Sequence, residues 1–290
     1  MPYRRQWRAQ CWSHYAGTSW LCLAGGREMI RSDFHVHTVF SDGRNTISDV
    51  LRLAAQRNIG TLAITDHFDP RDWRPAIASI SELALLRHFQ EIREESTRQK
   101  IDVLCGLETT PDSDGRLTFS TLVRQASLPI ITSCHYIPDA PAAIPGEYFN
   151  DHYWKTCKEF MLQMALGEGD ILGHCEDYLP IEPLIEGMGT TYEIRRRICA
   201  EIVDRYFDRP YVEKLADNLL SSGKCCELHS ATRTPREWVV RLLAQRGVPF
   251  TPGSDAHGEA LVGNTGWAYE IAERTGAHLI SGRKELYERR

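Results

Sequence analysis

The sequence lacks the features that mark several classes of protein. It has no run of apolar residues close to the roughly 20 that a transmembrane helix needs, so no membrane span is expected. It has no excess of basic residues, since the formal net charge is -5, and nucleic acid is not an expected partner because binding its backbone usually takes a basic face. None of the nine cysteines forms a C-x-x-C pair, which together with the odd count favours reduced thiols in a cytoplasmic protein.

The chain has the composition of an ordinary globular protein, with 42% hydrophobic and 25% charged residues. A length of 290 residues allows one large α/β domain or two small ones. Residues 1–30 show no clear periodicity. We therefore expect a tail over 1–30 that is disordered or not native, and a folded domain over 31–290.

From Ser32 onward, short apolar runs alternate with longer amphipathic stretches, which is typical of repeated βα units around a parallel sheet. The pattern predicts about seven strands, and metal-binding residue types stand at the ends of nearly all of them. A closed barrel brings all those ends to one face, whereas a doubly wound open sheet gathers only the ends near its switch point. The even spread therefore favours a barrel.

The first predicted strand runs into His35 and His37, and Asp42 follows five residues later. Residues two apart in a strand point to the same face, so both imidazoles aim the same way. Two converging imidazoles form half of a site for zinc, manganese or iron. The pair alone is a weak signal, and its meaning depends on ligands elsewhere in the chain.

Nine residues at or near strand ends are candidate metal ligands. One tetrahedral zinc needs three or four ligands, so nine suffice for two or three ions that share a carboxylate. The nine are His35, His37, Asp42, His67, Glu108, His135, His174, Asp255 and His257. We predict no site role for His14, His88, His152 and His278, which lie in the tail, in predicted helices or in the last apolar segment.

Several motifs in order resemble those of the polymerase and histidinol phosphatase (PHP) superfamily. They are His35-Val36-His37 with Ser41-Asp42-Gly43, Thr65-Asp66-His67, Gly106-Leu107-Glu108, Ser133-Cys134-His135, Gly173-His174 and Gly253-Ser254-Asp255-Ala256-His257. The resemblance extends from about Ser32 to Ile280 and is nearest to free-standing histidinol phosphatases. It implies an α/β protein with a distorted seven-stranded (β/α)7 TIM-like barrel.

The resemblance also implies two to three divalent transition metals, in a trinuclear cluster of zinc, manganese or iron. It assigns His35, His37, Glu108 and Asp255 to a first ion, Glu108 with His135 and His174 to a second, and Asp42, His67 and His257 to a third. It further implies catalytic roles for Glu108, Asp255 and His257, with a metal-bridging hydroxide as the nucleophile. A serine or cysteine nucleophile is then not required.

Other polar residues near the predicted ligands have two interpretations each. Asp33, Asp66 and Glu176 either orient imidazole N–H groups or are ordinary polar residues of the rim. The candidates for contact with phosphate or substrate are Arg233, Arg71, Arg74 and His229. We expect at least one of the arginines to be merely solvated, and His229 has two interpretations, a contact for substrate or a hydrogen-bonded rim histidine.

The leading hypothesis is a phosphomonoesterase that hydrolyses a small phosphorylated metabolite, as histidinol phosphatases do. The alternatives are a phosphodiesterase or nuclease on the same cluster, and a non-catalytic PHP binding module. Amidohydrolase chemistry is disfavoured because none of the lysines ends a predicted strand. Histidinol phosphatases commonly carry Asn-Thr after the sixth-strand glutamate, where this chain has Glu227-Leu228-His229-Ser230, so the substrate is left open.

Overall fold

The computed structural model describes residues 31–99, 101–280 and 282–289, so the predicted tail lies outside the described residues. The strands are β1 Arg31–Asp33, β2 Ile59–Ile64, β3 Val103–Cys105, β4 Leu107–Thr109, β5 Ile130–Thr132, β6 Ile171–Leu172, β7 Cys225–His229 and β8 Phe250–Gly253. The helices are α1 Ile47–Gln56, α2 Pro75–Ala78, α3 Glu82–Gln99, α4 Thr121–Ala126, α5 Asp151–Leu166, α6 Glu182–Ile185, α7 Tyr192–Tyr206, α8 Arg209–Ser222, α9 Glu237–Arg246, α10 Gly266–Thr275 and α11 Arg283–Tyr287.

The predicted α/β class with parallel strands is confirmed. The strands form a three-stranded sheet in the order β1-β2-β3 and a five-stranded sheet in the order β4-β5-β6-β7-β8, and every pairing is parallel. The structure therefore has two sheets where the resemblance implies one closed barrel. Because all pairings are parallel, the carboxyl ends of neighbouring strands lie at the same edge.

The two sheets are joined by one chain segment around Gly106. Gly106 N donates to Ile64 O at 2.8 Å, on the β2 side, and Leu107 N donates to Pro129 O at 3.0 Å, beside β5. A Cβ atom on Gly106 would lie 2.5 Å from the carbonyl oxygen of Pro129, so only glycine allows this close approach. The third predicted strand is thus split into β3 and β4, one for each sheet.

The outer edges of the sheets, β1 and β8, are also hydrogen-bonded. Phe34 N donates to Pro252 O at 2.9 Å. The buried Asp33 carboxylate accepts hydrogen bonds from Ser254 N at 3.0 Å, Ser254 Oγ at 2.6 Å and Gly263 N at 2.8 Å. Burial raises the pKa of Asp33 to about 6, although these hydrogen bonds oppose the shift. Asp33 thus holds the segment after β8 against β1, and brings the ends of the two strands together.

Apolar side chains pack on both faces of the sheets. The largest cluster lies between the five-stranded sheet and helices that include α5, α7, α8 and α9, with Trp154 fully buried. A smaller cluster contains one residue each of β2, β3, β5, β6 and β7, together with three others: Ala63, Leu104, Ile131, Ile171 and Cys225, with Phe34, Ile280 and Leu286. Because residues of both sheets pack in this one cluster, it joins the two sheets.

Two helix boundaries test the sequence analysis. The helical pattern from about Thr191 to Leu220 predicts a break near Pro210, and the structure confirms it, because α7 ends at Tyr206 and α8 begins at Arg209. The pattern from about Glu259 to Thr275 predicts one helix, but α10 begins only at Gly266. Residues 258–264 form turns instead, since their backbone bonds span three residues.

The described cysteines, seven in number, are buried and free, as predicted. Among the described residues, no helix combines the length and apolar character that crossing a membrane requires.

Candidate metal centre

The structure brings the nine predicted ligands together at the carboxyl ends of the strands. His35 and His37 follow β1, His67 follows β2, Glu108 lies in β4, and the others follow β5, β6 and β8 except for Asp42, which lies in the loop after β1. Six of the nine have side chains less than 10% exposed, and only His135, His257 and Asp42 are more open, at 15%, 26% and 32%. Residues spread over more than 200 positions thus share one buried site.

A first group contains two imidazoles and two carboxylates. His35 Nε2 lies 3.3 Å from Glu108 Oε2 and 3.5 Å from Asp255 Oδ1, and His37 Nε2 lies 3.4 Å and 3.2 Å from the same two oxygens. Two donor atoms that each lie about 2.1 Å from one tetrahedral ion are about 3.4 Å apart. The four atoms therefore have the spacing of ligands around a single ion.

The other oxygen of Glu108 belongs to a second group. Glu108 Oε1 lies 3.0 Å from His174 Nε2 and 3.3 Å from His135 Nε2. His67 also approaches Glu108, with its Nδ1 atom 3.1 Å from Oε2. Glu108 is therefore shared between groups, as a bridging carboxylate would be.

A third group surrounds Asp42. His257 Nε2 lies 3.1 Å from Asp42 Oδ1, and His67 Nε2 lies 3.4 Å from Asp42 Oδ2. The ring of His37 packs between the other two imidazoles, with centroids 4.2 Å from His257 and 4.4 Å from His67. The potential ligand atoms of these four residues all lie within 4.8 Å of one another.

Glu227 is a site residue that our sequence analysis did not single out. Its Oε1 atom lies 2.7 Å from His35 Nδ1, and its Oε2 atom accepts a hydrogen bond from His174 N at 2.7 Å. A proton on His35 Nδ1 satisfies this contact and leaves the Nε2 lone pair facing the first group. A glutamate inside the apolar run of β7 was the available signal, because a buried carboxylate needs a specific partner.

Two further imidazoles are held in the same way. His135 Nδ1 lies 3.3 Å from Thr110 Oγ1, and that hydroxyl already donates to Ser133 O. His257 Nδ1 lies 3.0 Å from the carbonyl oxygen of Asp255. Both arrangements assign the proton to Nδ1, so each Nε2 lone pair is directed at the candidate ligands.

Unpaired buried nitrogens test whether the site fits metal ions. Within the described part of the chain, His35 Nε2 and both ring nitrogens of His37 are buried and make no hydrogen bond. Such orphaned polar atoms are rare in folded proteins and need an explanation. The two Nε2 atoms lie 3.2–3.5 Å from oxygens of Glu108 and Asp255, which is the spacing of metal ligands, so the residues present fit divalent cations.

The electrostatics of the site are dominated by its carboxylates. Burial raises the pKa of Glu108, but the imidazoles of His35, His135 and His67 hold it well below the usual range. Burial lowers the pKa of His37 to about 4, and the neighbouring imidazoles of His257 and His67 add to this shift. His37 is therefore neutral at pH 7, which is the form that binds a metal.

Asp33, Asp66 and Glu176, which had two interpretations each, are hydrogen-bonded to groups other than the imidazoles of the candidate ligands. Glu176 accepts hydrogen bonds from Arg236 N at 2.7 Å and from Arg236 Nη2 at 2.7 Å. Asp66 accepts hydrogen bonds from Thr38 N at 2.7 Å and from His88 Nε2 at 2.8 Å, and Asp33 closes the β1–β8 edge. Strand residues next to a ligand point to the opposite face, so Asp66 cannot turn toward the His67 ring.

The arginines predicted to bind phosphate differ in their surroundings. Arg74 is engaged by Asp72 at 2.7 Å and by Asp42 at 3.0 Å, and Arg71 donates to Thr110 O at 3.1 Å. Arg233 is exposed, and its guanidinium has no hydrogen bond or ion pair to any described residue. Its backbone has φ of +59°, a conformation that is uncommon for residues other than glycine.

His229 lies inside the site, fully buried. Its Nε2 atom is 3.2 Å from Asp255 Oδ2, and its Nδ1 atom is 2.5 Å from Thr232 Oγ1. His229 is therefore hydrogen-bonded at both ring nitrogens, and one of its two partners, Asp255, is a candidate metal ligand.

Comparison with known proteins agrees with this geometry. The family model for the PHP domain matches residues 33–214. Histidinol phosphate phosphatase from Lactococcus lactis, solved with zinc, L-histidinol and phosphate, is 18% identical with a TM-score of 0.62, over 88% of this chain and 97% of that one. A putative histidinol phosphatase from Listeria monocytogenes is 13% identical with a TM-score of 0.56, over 83% and 99%. No curated protein matches the sequence.

Replacing Glu227 by glutamine should weaken metal binding. The amide places an N–H donor opposite either His35 Nδ1 or His174 N, and it removes the charge that raises the basicity of His35. We expect metal affinity to fall about 10- to 100-fold, measured by chelator competition.

The matched control is Glu270→Gln, at an exposed position outside the site, which should leave the affinity unchanged. Equal affinities for the two variants would contradict the role given to Glu227.

Proposed function

The chain belongs to the PHP domain family, and from this premise we propose that it is a metal-dependent phosphomonoesterase for a small phosphorylated metabolite. The observation that carries the proposal is the convergence of six imidazoles and three carboxylates in interlocked groups that share Glu108. Two or three divalent transition metals such as zinc, manganese or iron suit this donor set. Histidinol phosphate is the first candidate substrate, by analogy with the Lactococcus enzyme.

We assign the ligands by the three groups of contacts. His35, His37, Glu108 and Asp255 would hold the first ion, Glu108, His135 and His174 the second, and Asp42, His67 and His257 the third. In such sites divalent ions activate water for attack on phosphorus and neutralise phosphate charge. By analogy with the family, Glu108, Asp255 and His257 would also take part in the reaction, and each of the three contacts residues of more than one group.

We also propose that the two sheets form one barrel and that the whole described chain belongs to one domain. Hydrogen bonds at both sheet boundaries support one distorted seven-stranded (β/α)7 barrel, in which β3 and β4 count as a single strand. Asp255 and His257 lie beyond the segment matched by the family model, yet they contact His37 and Asp42 inside it. We therefore propose that 31–290 forms one PHP domain.

Arg233 is the favoured contact for the phosphoryl group. Unlike Arg74, it has no carboxylate partner among the described residues, so its planar fork of N–H donors remains available for a bidentate contact. It follows β7 by four residues, and His229, at the end of that strand, touches Asp255. The strained backbone of Arg233 is consistent with a functional position.

The function is tested with a panel of phosphomonoesters, including histidinol phosphate, and phosphodiesters, assayed with manganese and with zinc. We expect hydrolysis of monoesters that is lost on treatment with a chelator, because the site supplies ligands rather than a nucleophilic side chain. Hydrolysis of diesters alone would favour the alternative phosphodiesterase, and no hydrolysis of either class would favour a binding module.

Replacing Arg233 by methionine tests the phosphate contact. Loss of charge-assisted hydrogen bonds worth about 1.5–3 kcal/mol should lower kcat/KM for the best monoester about 10- to 100-fold without changing the number of bound ions. The control is Arg197→Met, whose exposed guanidinium only pairs with Glu201 at 3.9 Å. A kcat/KM equal to that of the control would exclude Arg233 from the reaction.

A further inference from the structure

The loop that carries Asp42 is the least protected part of the site. Asp42 has the most exposed side chain of the nine candidate ligands, at 32%, and it is the only carboxylate that faces both His67 and His257. The other two carboxylates lie in β4 or directly after β8, where sheet pairing fixes the backbone. The backbone of Asp42 depends instead on how its loop is held, and its carboxylate also accepts a hydrogen bond from Arg74 Nη1 at 3.0 Å.

The loop is folded tightly against the end of β1. Ser41 N and Gly43 N both donate to Thr38 O, at 3.2 Å and 2.9 Å. A Cβ atom on Gly43 would lie 2.6 Å from the carbonyl oxygen of His37, so the turn packs on the strand with no room for a side chain at that position. A small displacement of this turn would therefore move Asp42 relative to the imidazoles.

The Asp66 carboxylate anchors the turn. Its Oδ1 atom accepts hydrogen bonds from Thr38 N at 2.7 Å and Ser41 Oγ at 2.6 Å, and its Oδ2 atom accepts from Thr38 Oγ1 at 2.8 Å. The remaining contact to Oδ2 comes from His88 Nε2 at 2.8 Å. Four donors from three different residues thus fix one buried carboxylate.

Besides its hydrogen bond to Asp66, His88 also contacts the loop directly through its ring. The imidazole stacks on Phe40, with centroids 4.0 Å apart and planes 4° apart. His88 lies on the buried face of α3, with Leu85, Phe89 and Ile92, and is itself only 4% exposed. A rigid helix therefore supports the loop at both Asp66 and Phe40.

We propose that His88 is a positioning residue for the third metal ion, acting through Asp66 on the loop that presents Asp42. The inference rests on the proposed metal centre but not on the identity of its substrate. Because the first group of ligands is attached to paired strands, loss of the His88 contact should affect the Asp42 group selectively. A general role in stability would instead affect all ions alike.

The test is titration of metal-free full-length protein with Co²⁺, following the number of ions per chain and each dissociation constant by calorimetry and visible absorption. His88→Phe keeps the stack on Phe40 and removes the N–H donor. We expect it to bind one ion at least 10-fold more weakly than wild type, or not at all, with the other ions unchanged. His88→Gln restores a donor and should lie within about 3-fold of wild type.

The control is His152→Phe, the same substitution at an exposed position on α5. The proposal is overturned if His88→Phe binds every ion as wild type does, if it loses all ions equally, or if wild type itself shows no separate third ion. Failure of the proposed function is distinguishable, because it would appear as wild type that binds the ions but hydrolyses no phosphomonoester.

Discussion

The site depends on one buried carboxylate, that of Glu108. Its oxygens lie 3.0–3.4 Å from nitrogens of five imidazoles. An ionised carboxylate is costly to bury unless positive charge is close to it. Hydrogen bonds at the Nδ1 atoms of His35, His135 and His257 direct their Nε2 atoms toward the carboxylate oxygens of the site. Burial opposes protonation of these rings, but the carboxylates raise the pKa of His35 well above its usual value and that of His257 to about 10, so protons supply positive charge when no metal is bound. We propose that divalent cations between these atoms supply that charge instead.

The convergence of the candidate ligands could be predicted from sequence because the carboxyl ends of parallel strands coincide. A histidine or acidic residue after each apolar run sufficed to place residues such as His35 and Asp255 together, without knowledge of any helix. The split of the third strand at Gly106 could not be foreseen, since it depends on the approach of Pro129 from another βα unit. The start of α10 at Gly266 was not predicted, because the apolar residues of the turns before it recur at helical spacing.

The supporting residues were harder to predict, for physical reasons. One of the two interpretations of Asp66 was that it orients the imidazole of a ligand, but alternation along an extended strand turns it away from His67 to the other face, where it anchors a loop. Glu227 and His88 lie within an apolar strand and on an apolar helix face, where polarity alone does not reveal the partner. Their contacts join segments 192 and 22 residues apart, and only the fold specifies such pairs.

The central claim is that the nine candidate ligands bind metal ions. The alternative is that protons on the imidazoles alone balance the charge of the carboxylates. The most direct measurement is the transition-metal content of the full-length protein, purified without chelators and analysed by inductively coupled plasma mass spectrometry. We expect two to three ions of zinc, manganese or iron per chain. Fewer than two ions per chain would contradict it.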